Sequence, residues 1–331
     1  MSKEKNLAFC TEKAISFIPT YRCNLNCLHC CVEHKKEELD LPLAFKVLKE
    51  AFDCGIKTIT FTGGEPFLCF ELLFAIMKKA ASLGFKIEDL STNGAWWRDI
   101  KELRQKFSLL KEIGFGGPFH LSIDAFHKVN PIKWRYFIEE AIEIFKSQDI
   151  IQIDSRTLPN YPADLFIKKT AVLLKGSLNQ IEKGRGEIRS SLGKIPYYIE
   201  EVCLVGRASF LGKPIYNHWF SRNACKEMIR VIVVEPDGNV RHCTGYAANR
   251  YQELIVGNVR EHSLKEIITK ALNHPFVGSL IRNCGPLKIK EDLEQIEPSL
   301  FKEPISNPCY FCDYILKDSK CRKILSQLDY L

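Results

Sequence analysis

The sequence lacks any apolar run long enough to cross a membrane, which takes about 18 to 20 residues. Its first residues, Met-Ser-Lys-Glu-Lys-Asn, also lack the apolar stretch of a secretory signal peptide. No aromatic residues interleave with its densest basic stretch, and no nucleic-acid-binding motif occurs. We therefore expect a cytoplasmic protein that has neither a membrane nor a nucleic acid as a partner.

Cysteine is absent between residues 69 and 203, although the 331-residue chain holds 14 cysteines. Seven fall between Cys10 and Cys69, and seven between Cys203 and Cys321. In a reducing compartment, so many thiols argue against disulfides and for metal or redox chemistry. With 46% hydrophobic residues the chain can form a real core, in one large or two modest domains. The two groups of cysteines indicate two cofactor regions.

The first group contains the spacing C-x3-C-x2-C, formed by Cys23, Cys27 and Cys30. Three thiolates from one loop select an iron–sulfur cluster, zinc or Cu(I), and they leave a fourth metal position open. An apolar run at 14–18 precedes the loop and reads as a buried strand, which places the motif where α/β proteins carry their chemistry. Half of a zinc site is the alternative.

Apolar runs alternate with amphipathic stretches from residue 13 to about 210, as repeated βα units require. Asp40 is expected to cap the first helix, with Pro42 in its first turn. Six units are fewer than the eight of a closed barrel, which predicts an open partial barrel. The predicted strands lie near 13–19, 57–61, 86–91, 118–123, 149–154 and 200–206, and the predicted helices near 40–54, 69–83, 97–113, 131–147 and 162–175.

Several predicted strands end in motifs that suit a bound ligand. The second ends at Gly63-Gly64-Glu65-Pro66, where paired glycines let a ligand approach the backbone. The third ends at Ser91-Thr92-Asn93-Gly94, which could also be an ordinary Asn-Gly turn. The fourth ends at Ser122-Ile123-Asp124 and is followed by His127, and the sixth ends at Gly206-Arg207-Ala208.

Together these motifs resemble the radical S-adenosylmethionine (SAM) superfamily. The resemblance implies an α/β fold with a partial (β/α)6 TIM-like barrel. It also implies a [4Fe-4S] cluster on Cys23, Cys27 and Cys30 that binds SAM, and a flavodoxin- or ferredoxin-type electron donor. The residues that the resemblance assigns to SAM or substrate binding are Gly63, Gly64, Glu65, Pro66, Ser91, Asn93, Ser122, Asp124 and Arg207.

The second group of cysteines predicts a four-thiolate site. A hairpin around Pro236-Asp237-Gly238 would bring Cys225 and Cys243 together, and the C-x2-C pair Cys309 and Cys312 supplies the other two thiols. Zinc and an iron–sulfur cluster both fit this spacing. The pattern resembles the SPASM and twitch extensions of radical SAM enzymes, which implies one auxiliary [4Fe-4S] cluster. Cys284 or Cys321 could replace one of the four ligands. The predicted domains are a tail at 1–12, the barrel at 13–215 and the auxiliary domain at 216–331.

The resemblance implies that a 5′-deoxyadenosyl radical abstracts hydrogen from a substrate carbon, most often in a peptide or protein. The His-Cys-Cys run at 29–31, Gly63-Gly64-Glu65, the 91–96 stretch and the 122–127 stretch are similar to those of epipeptide epimerases, and sulfatase-maturing enzymes are related. Epimerases use a donor cysteine beside a cluster cysteine, but here Thr244 follows Cys243. The candidate donor thiols are therefore Cys203, Cys284 and Cys321.

Two other functions fit the same motifs. One is a radical SAM dehydrogenase or tailoring enzyme that acts on a small molecule. The other is a non-catalytic iron–sulfur or zinc protein that carries electrons or binds a partner.

A basic stretch at 168–194 reads as a solvated surface segment that could also steer an anionic partner. The cluster motif begins so early that we expect no leader-binding domain before it. A peptide would then be held by the barrel, by the basic stretch or by a separate protein. Within this stretch only Glu182 and Glu187 oppose its cations, which are Lys168, Lys169, Lys175, Lys183, Arg185, Arg189 and Lys194.

Overall fold

The computed structural model describes residues 14–212, 218–226 and 228–331. The predicted tail at 1–12 and the predicted domain boundary between 215 and 216 lie outside these residues. Among the described helices, none combines the length and apolar character needed to cross a bilayer.

The described strands form a single sheet in the order β11-β10-β9-β1-β2-β3-β4-β5-β8-β7-β6. Strands β1 to β5 run parallel to one another, and β8 pairs in parallel with β5. This arrangement confirms the predicted open barrel of six parallel strands. The strands are β1 Ala14–Phe17, β2 Thr58–Phe61, β3 Lys86–Thr92, β4 Phe119–Ser122, β5 Ile151–Thr157, β6 Ser177–Glu182, β7 Arg185–Ser190, β8 Gly193–Glu201, β9 Ile232–Val234, β10 Asn239–Arg241 and β11 Ile255–Asn258.

The helices of the barrel follow the predicted pattern. The first begins as expected, because the Asp40 carboxylate accepts a hydrogen bond from the backbone N–H of Leu43 at 3.1 Å, with Pro42 in the first turn. The helices are α1 Leu41–Asp53, α2 Phe70–Ser82, α3 Ile100–Glu112, α4 Pro131–Phe145, α5 Asp164–Leu173, α6 Leu264–Ala271, α7 Pro275–Asn283, α8 Leu287–Ile296, α9 Pro308–Lys317 and α10 Ser319–Gln327.

The two faces of the barrel strands differ in character. On β4, Phe119 and Leu121 are fully buried in the core shared with the helices, where Phe119 packs against Phe107 of α3. The alternate residues, His120 and Ser122, point to the inner face because successive side chains of a strand alternate. The inner face of the barrel is therefore polar.

The predicted sixth strand at 200–206 is wrong. The sixth parallel strand is β8, Gly193–Glu201, which begins at the end of the basic stretch and overlaps the predicted strand only at residues 200–201. The apolar run from Val202 to Val205 is buried in a loop beyond the strand, where Val202 and Leu204 cluster with Cys27, and Val205 clusters with Cys309. An apolar run alone does not distinguish a strand from a buried loop.

The predicted hairpin after Cys225 is confirmed as β9 and β10, which pair antiparallel. It extends the barrel sheet, because β9 lies parallel to β1. A buried ion pair joins its strands, with Arg241 Nε 2.7 Å from Glu235 Oε1. The hairpin thereby fixes the cysteine-rich region beside the strand that leads into the first cysteine loop.

Candidate active site

The loop after β1 places Cys23, Cys27 and Cys30 around one cavity of about 190 Å³. The ends of β2, β3 and β4 line the rest of it, as expected for the carboxyl ends of parallel strands. The other lining residues are Leu25, His29, His34, Thr62, Gly63, Gly64, Glu65, Ser91, Thr92, Asn93, Ser122 and His127.

Two glycines let the second motif lie directly against the cysteine loop. A Cβ at Gly64 would come within 2.1 Å of the Arg22 carbonyl oxygen, and Gly63 has a φ of +124°. The backbone N–H groups of Gly64 and Glu65 bond back to the Thr20 and Arg22 carbonyls at 3.0 and 2.8 Å. Only glycine fits this close approach, so the two motifs form one rigid wall of the cavity.

Glu65 is a buried carboxylate at the base of this wall, only 1% exposed. Its oxygens accept hydrogen bonds from the Asn93 N–H at 2.8 Å, the Thr92 hydroxyl at 3.0 Å and the Phe67 N–H at 3.2 Å. Burial nevertheless raises the pKa of Glu65 to about 7, because desolvation outweighs these bonds. Pro66, the next residue, begins a short 3₁₀ turn and lies outside the cavity lining.

Asn93 connects the third strand to the cysteine loop. Its side-chain amide lies 2.9 Å from Asn24 Oδ1 and 3.7 Å from Cys23 Sγ. Burial raises the pKa of Cys23 to about 11, so the isolated thiol holds its proton. A thiolate here requires a positive partner such as a metal cluster.

Two histidines on the cavity wall differ in charge. Burial lowers the pKa of His29 to about 4, and its Nδ1 is buried without a hydrogen-bond partner among the described residues. Burial would also lower the pKa of His127, but its hydrogen bond to Asp124 at 2.8 Å and the Cys27 thiol raise it to about 10. The His29 and His127 rings lie 5.1 Å apart, and both residues line the cavity.

Asp124 contacts His127 but does not line the cavity itself. The carboxylate is fully buried and also accepts bonds from the Phe126 N–H at 2.9 Å and the Arg156 N–H at 3.3 Å. It is absent from the cavity lining, whereas Ser122 and Ser91 reach it. Asp124 therefore positions His127 instead of reaching the ligand space.

The second group of cysteines converges from distant parts of the chain. Cys309 and Cys312 lie one turn apart at the start of α9, and Cys243 follows β10. Burial and the neighbouring thiols of Cys225, Cys309 and Cys243 raise the pKa of Cys312 well above its usual value. Four clustered thiols, three of them buried, that destabilise one another's anions suit a shared cation or cluster.

Backbone donors surround this second site. The Gly245 N–H lies 3.2 Å from Cys243 Sγ, and the N–H groups of Tyr246 and Ala247 are directed at Cys309. Such N–H···S contacts stabilise cluster sulfur and tune its potential.

A short apolar cluster joins the two cysteine sites. Cys203 and Cys309 are buried in it, and Cys31 and Tyr246 pack against them. The Cys203 thiol lies 3.4 Å from Asn307 Oδ1, and burial followed by Cys309 and Cys31 raises its pKa. Cys203 therefore lies beside the second site and faces the loop of the first.

The other two candidate donor thiols lie elsewhere. Cys284 ends α7 with a φ of +55° and is not among the thiols that act on Cys225, Cys309 or Cys312. Cys321 is fully buried in the apolar core on α10, where burial and Asp318 raise its pKa to about 12.

Arg207 lines a separate cavity of about 520 Å³ beside Cys30 and Cys31. Its guanidinium contacts Asn26 and lies 3.2 Å from His34 Nε2, while its Nε is buried without a partner in the described part of the chain. Arg250 lines the same cavity.

Two family models match the chain in these same regions. The radical SAM superfamily model matches residues 17–149, which contain Cys23, Cys27, Cys30 and the Gly63-Gly64-Glu65 turn. The SPASM model, an iron–sulfur cluster-binding domain, matches residues 225–285. The chain carries a radical SAM domain and a SPASM domain. Together these domains imply [4Fe-4S] clusters and SAM as cofactors. The paired glycines, the clustered thiols and the buried, unpartnered His29 Nδ1 fit such groups.

Curated relatives of this radical SAM chain include GTP 3′,8-cyclases. That of Clostridium perfringens (strain SM101 / Type A) is 25% identical over 285 residues, covering 76% of this chain and 87% of the relative. That of Synechococcus sp. (strain CC9902) is 36% identical over 98 residues, and this chain spans only 28% of its length. The solved structure of native anSMEcpe with bound AdoMet and Cp18Cys peptide superposes with a TM-score of 0.54 at 15% identity, covering 96% of this chain and 98% of the other. That likeness shows a shared fold.

Sequence reasoning missed some residues of the site. His29, His34 and Thr92 line the cavity but were not among the predicted ligands. His29 could have been found, because it lies between two of the three cysteines. The contacts of Thr92 with Glu65 depend on the pairing of β2 with β3, which no local motif encodes.

Proposed function

We propose that this radical SAM enzyme modifies a peptide or protein substrate. In this proposal Cys23, Cys27 and Cys30 hold the SAM-binding cluster. Cys225, Cys243, Cys309 and Cys312 hold one auxiliary cluster. When bound, the first cluster and SAM supply a 5′-deoxyadenosyl radical that abstracts a hydrogen atom from a substrate carbon.

The residues of the cavity would bind and orient SAM. Gly63 and Gly64 leave the backbone open to its methionine end, and Glu65 fixes this wall through the Asn93 N–H and Thr92. Ser91, Asn93 and Ser122 lie at the strand ends, where they can reach the sugar or the methionine. Arg207 lies outside this cavity, so we assign it to the neighbouring space instead of SAM itself.

One observation favours a peptide as the substrate. The polar inner face of the barrel continues from β5 across β8 and β7 to β6 without closing. Neighbouring strands lie about 4.8 Å apart, so this open wall extends about 14 Å beyond β5. An open wall suits an extended chain better than a compact molecule, which binds in an enclosed pocket.

Cys203 is our candidate for the thiol that returns hydrogen to a substrate radical. Of the three predicted donors, it alone packs between the two cysteine sites. In that step the Cys203 S–H bond breaks, a C–H bond forms at the substrate, and a sulfur radical remains. One electron from the adjacent auxiliary cluster and one proton from solvent would restore the thiol. A flavodoxin- or ferredoxin-type protein would supply the electrons.

The test is an anoxic reaction in D₂O with SAM, dithionite and short peptides encoded beside the gene. Epimerisation through Cys203 gives one deuterium per modified residue, whereas a cross-link or oxidation gives the loss of two hydrogen atoms. Cys203→Ala should abolish deuterium incorporation while SAM cleavage continues. SAM cleavage with every peptide unchanged would contradict a peptide substrate.

A second candidate is an anionic small molecule. The cavity that holds Arg207, Arg250 and His34 beside Cys30 could bind phosphate or carboxylate groups. GTP is the probe, because the curated relatives are GTP 3′,8-cyclases. Consumption of GTP together with SAM, lost in Arg207→Ala, would favour this candidate over the peptide.

A further inference from the structure

We propose that the edge strand β6 binds an extended acidic segment of the substrate, which joins the sheet as an additional strand. The inference rests on the proposed peptide substrate and assigns the surface that holds it. Strand addition supplies affinity through backbone hydrogen bonds, and side chains on either face supply specificity.

Among the described strands, β6 is an edge of the sheet that no further strand covers. It pairs with β7 on one side only and is the last strand in the sheet order. Five of its six residues are exposed, among them Leu178 at 37% and Ile181 at 59%. Proteins usually block such edges with lysine, proline or a covering element, and the β6 sequence Ser-Leu-Asn-Gln-Ile-Glu contains neither residue. An exposed edge of this kind is suited to pairing with another strand.

The surroundings of β6 are basic. Exposed Lys175 and Lys183 flank its two ends. On β7, Arg189 and Arg185 are about half exposed, and their ion pairs are with Glu187 and Glu182 of the same hairpin. Lys194 lies opposite Arg189 on β8. Since cations outnumber carboxylates here, the complementary strand is acidic.

The basic face of this hairpin continues into the barrel. Residues paired across a sheet share a face. Arg189 pairs with Lys194, and Arg185 pairs with Tyr198. Tyr198 in turn pairs with Asp154 on the inner face of β5. A chain bound at β6 can therefore follow one face of the sheet to Asp154, which pairs with Ser122 in the wall of the cavity.

The strand spacing predicts the length of this path. A strand added to β6 lies four spacings from β5, or about 19 Å at 4.8 Å each. An extended chain covers about 3.3 Å per residue. We therefore expect at least about six residues between the bound acidic segment and the residue that is modified.

The test selects a randomised ten-residue peptide library on the anoxic, cluster-loaded protein without SAM or reductant. The selected peptides should be rich in Asp and Glu and poor in Pro. Binding of the strongest peptide should fall about tenfold or more in Lys175→Glu/Lys183→Glu. It should be unchanged in the control Lys101→Glu/Lys146→Glu, because both control lysines are exposed on other elements and Lys146, like Lys175, has a positive φ.

Backbone methylation of the peptide tests the strand geometry without altering the protein. In one synthetic peptide the odd-numbered amide nitrogens carry methyl groups, and in a second the even-numbered ones do. A β-strand bonds its neighbour through alternate residues. One methylated peptide should therefore lose binding while the other keeps it.

Three results would overturn the proposal. They are a library without acidic enrichment, equal binding to both charge-reversed proteins, and equal loss from both methylated peptides. A dimer in solution that the selected peptide cannot dissociate would assign the edge to a second copy of the chain. Because no turnover is involved, failure here is separate from failure of peptide modification, which appears only when SAM and dithionite are added.

Discussion

The two cysteine sites are built in opposite ways. The first takes its three thiols from eight consecutive residues, 23–30, on one loop beside an open cavity. The second draws Cys225, Cys243, Cys309 and Cys312 from three separate regions of the chain, and Cys225, Cys309 and Cys312 are buried. The first is organised by its backbone, through Gly63 and Gly64, whereas the second depends on the docking of a hairpin and a helix.

This difference separates two tasks. A site that must bind and release a substrate such as SAM needs an open metal position and access to solvent. A site with four clustered thiols, three of them buried, has neither, which suits a structural or electron-transfer role. The contact through Cys31 and Cys203 then places the buried site beside the open one.

The largest expected effect comes from the open site. Cys23→Ala, Cys27→Ala or Cys30→Ala should each lower SAM cleavage by more than about 100-fold, because a cluster with two protein ligands is not retained. The assay is 5′-deoxyadenosine formation under dithionite after anoxic reconstitution. Cys54→Ala is the control, since Cys54 follows α1 and lies at neither site. SAM cleavage retained in all three variants would contradict the assignment of these cysteines as cluster ligands.

Loss of the buried site should damage the fold more than the chemistry. Cys312→Ala removes a proposed ligand and leaves the other three thiols without a shared partner. We expect a lower unfolding temperature and fewer irons, with SAM cleavage reduced less than about tenfold.

Cys321→Ala is the matched control, because Cys321 is also buried but is not among the thiols that act on Cys312. It should cost only about 1 kcal/mol of unfolding free energy and no iron. Equal iron loss in both variants would show that Cys321 is a ligand.

Gly64→Ala tests whether the open site is pre-formed. The added Cβ would meet the Arg22 carbonyl oxygen at 2.1 Å, so the two motifs must separate. We expect weaker SAM binding by isothermal titration and about 2 to 3 kcal/mol lower stability. Gly116→Ala, where nothing lies within 4 Å, should change neither. An unchanged affinity in Gly64→Ala would mean that the wall is not rigid.

A pH-dependent effect is expected on the inner face of the barrel. Burial opposes the charge on His120, but hydrogen bonds to Asp154 at 2.7 Å and Asp89 at 3.0 Å raise its pKa from 6.5 to about 9. Its stabilisation is therefore complete below pH 6.5 and is lost as the pH rises through about 9.

The difference in unfolding free energy between the wild type and His120→Asn should accordingly shrink over that range, by up to about 3 kcal/mol. Urea denaturation at several pH values measures it. A difference that is constant with pH would show that His120 is neutral in the folded protein.

The sequence predicted the parts of the molecule that depend on local patterns. The cysteine spacing, the glycine pair and the Asp40 cap are each contained in a few neighbouring residues, and five of the six barrel strands follow from their apolar periodicity. The site residues stay predictions, but the structure brings most of them to one cavity.

Contacts that depend on long-range pairing could not be predicted from the sequence. The strand Gly193–Glu201 begins at the end of the basic stretch that reads as a solvated segment, and no local motif encodes the pairing with β5 that makes it part of the barrel. Asp124 was predicted to bind SAM or substrate because it ends a strand, but its carboxylate is hydrogen-bonded to His127, three residues later. The position of Cys203 beside Cys309 likewise depends on how the loop after β8 packs.

The most direct test of the two-site account is iron and sulfide content after anoxic reconstitution. We would compare the wild type with Cys23→Ala/Cys27→Ala/Cys30→Ala and with Cys309→Ala/Cys312→Ala, and assay SAM cleavage in each. The account predicts about eight irons per chain in the wild type and about four in each variant, with cleavage lost only in the first. About four irons in the wild type and none in the first variant would contradict it, because the second site would then hold no cluster.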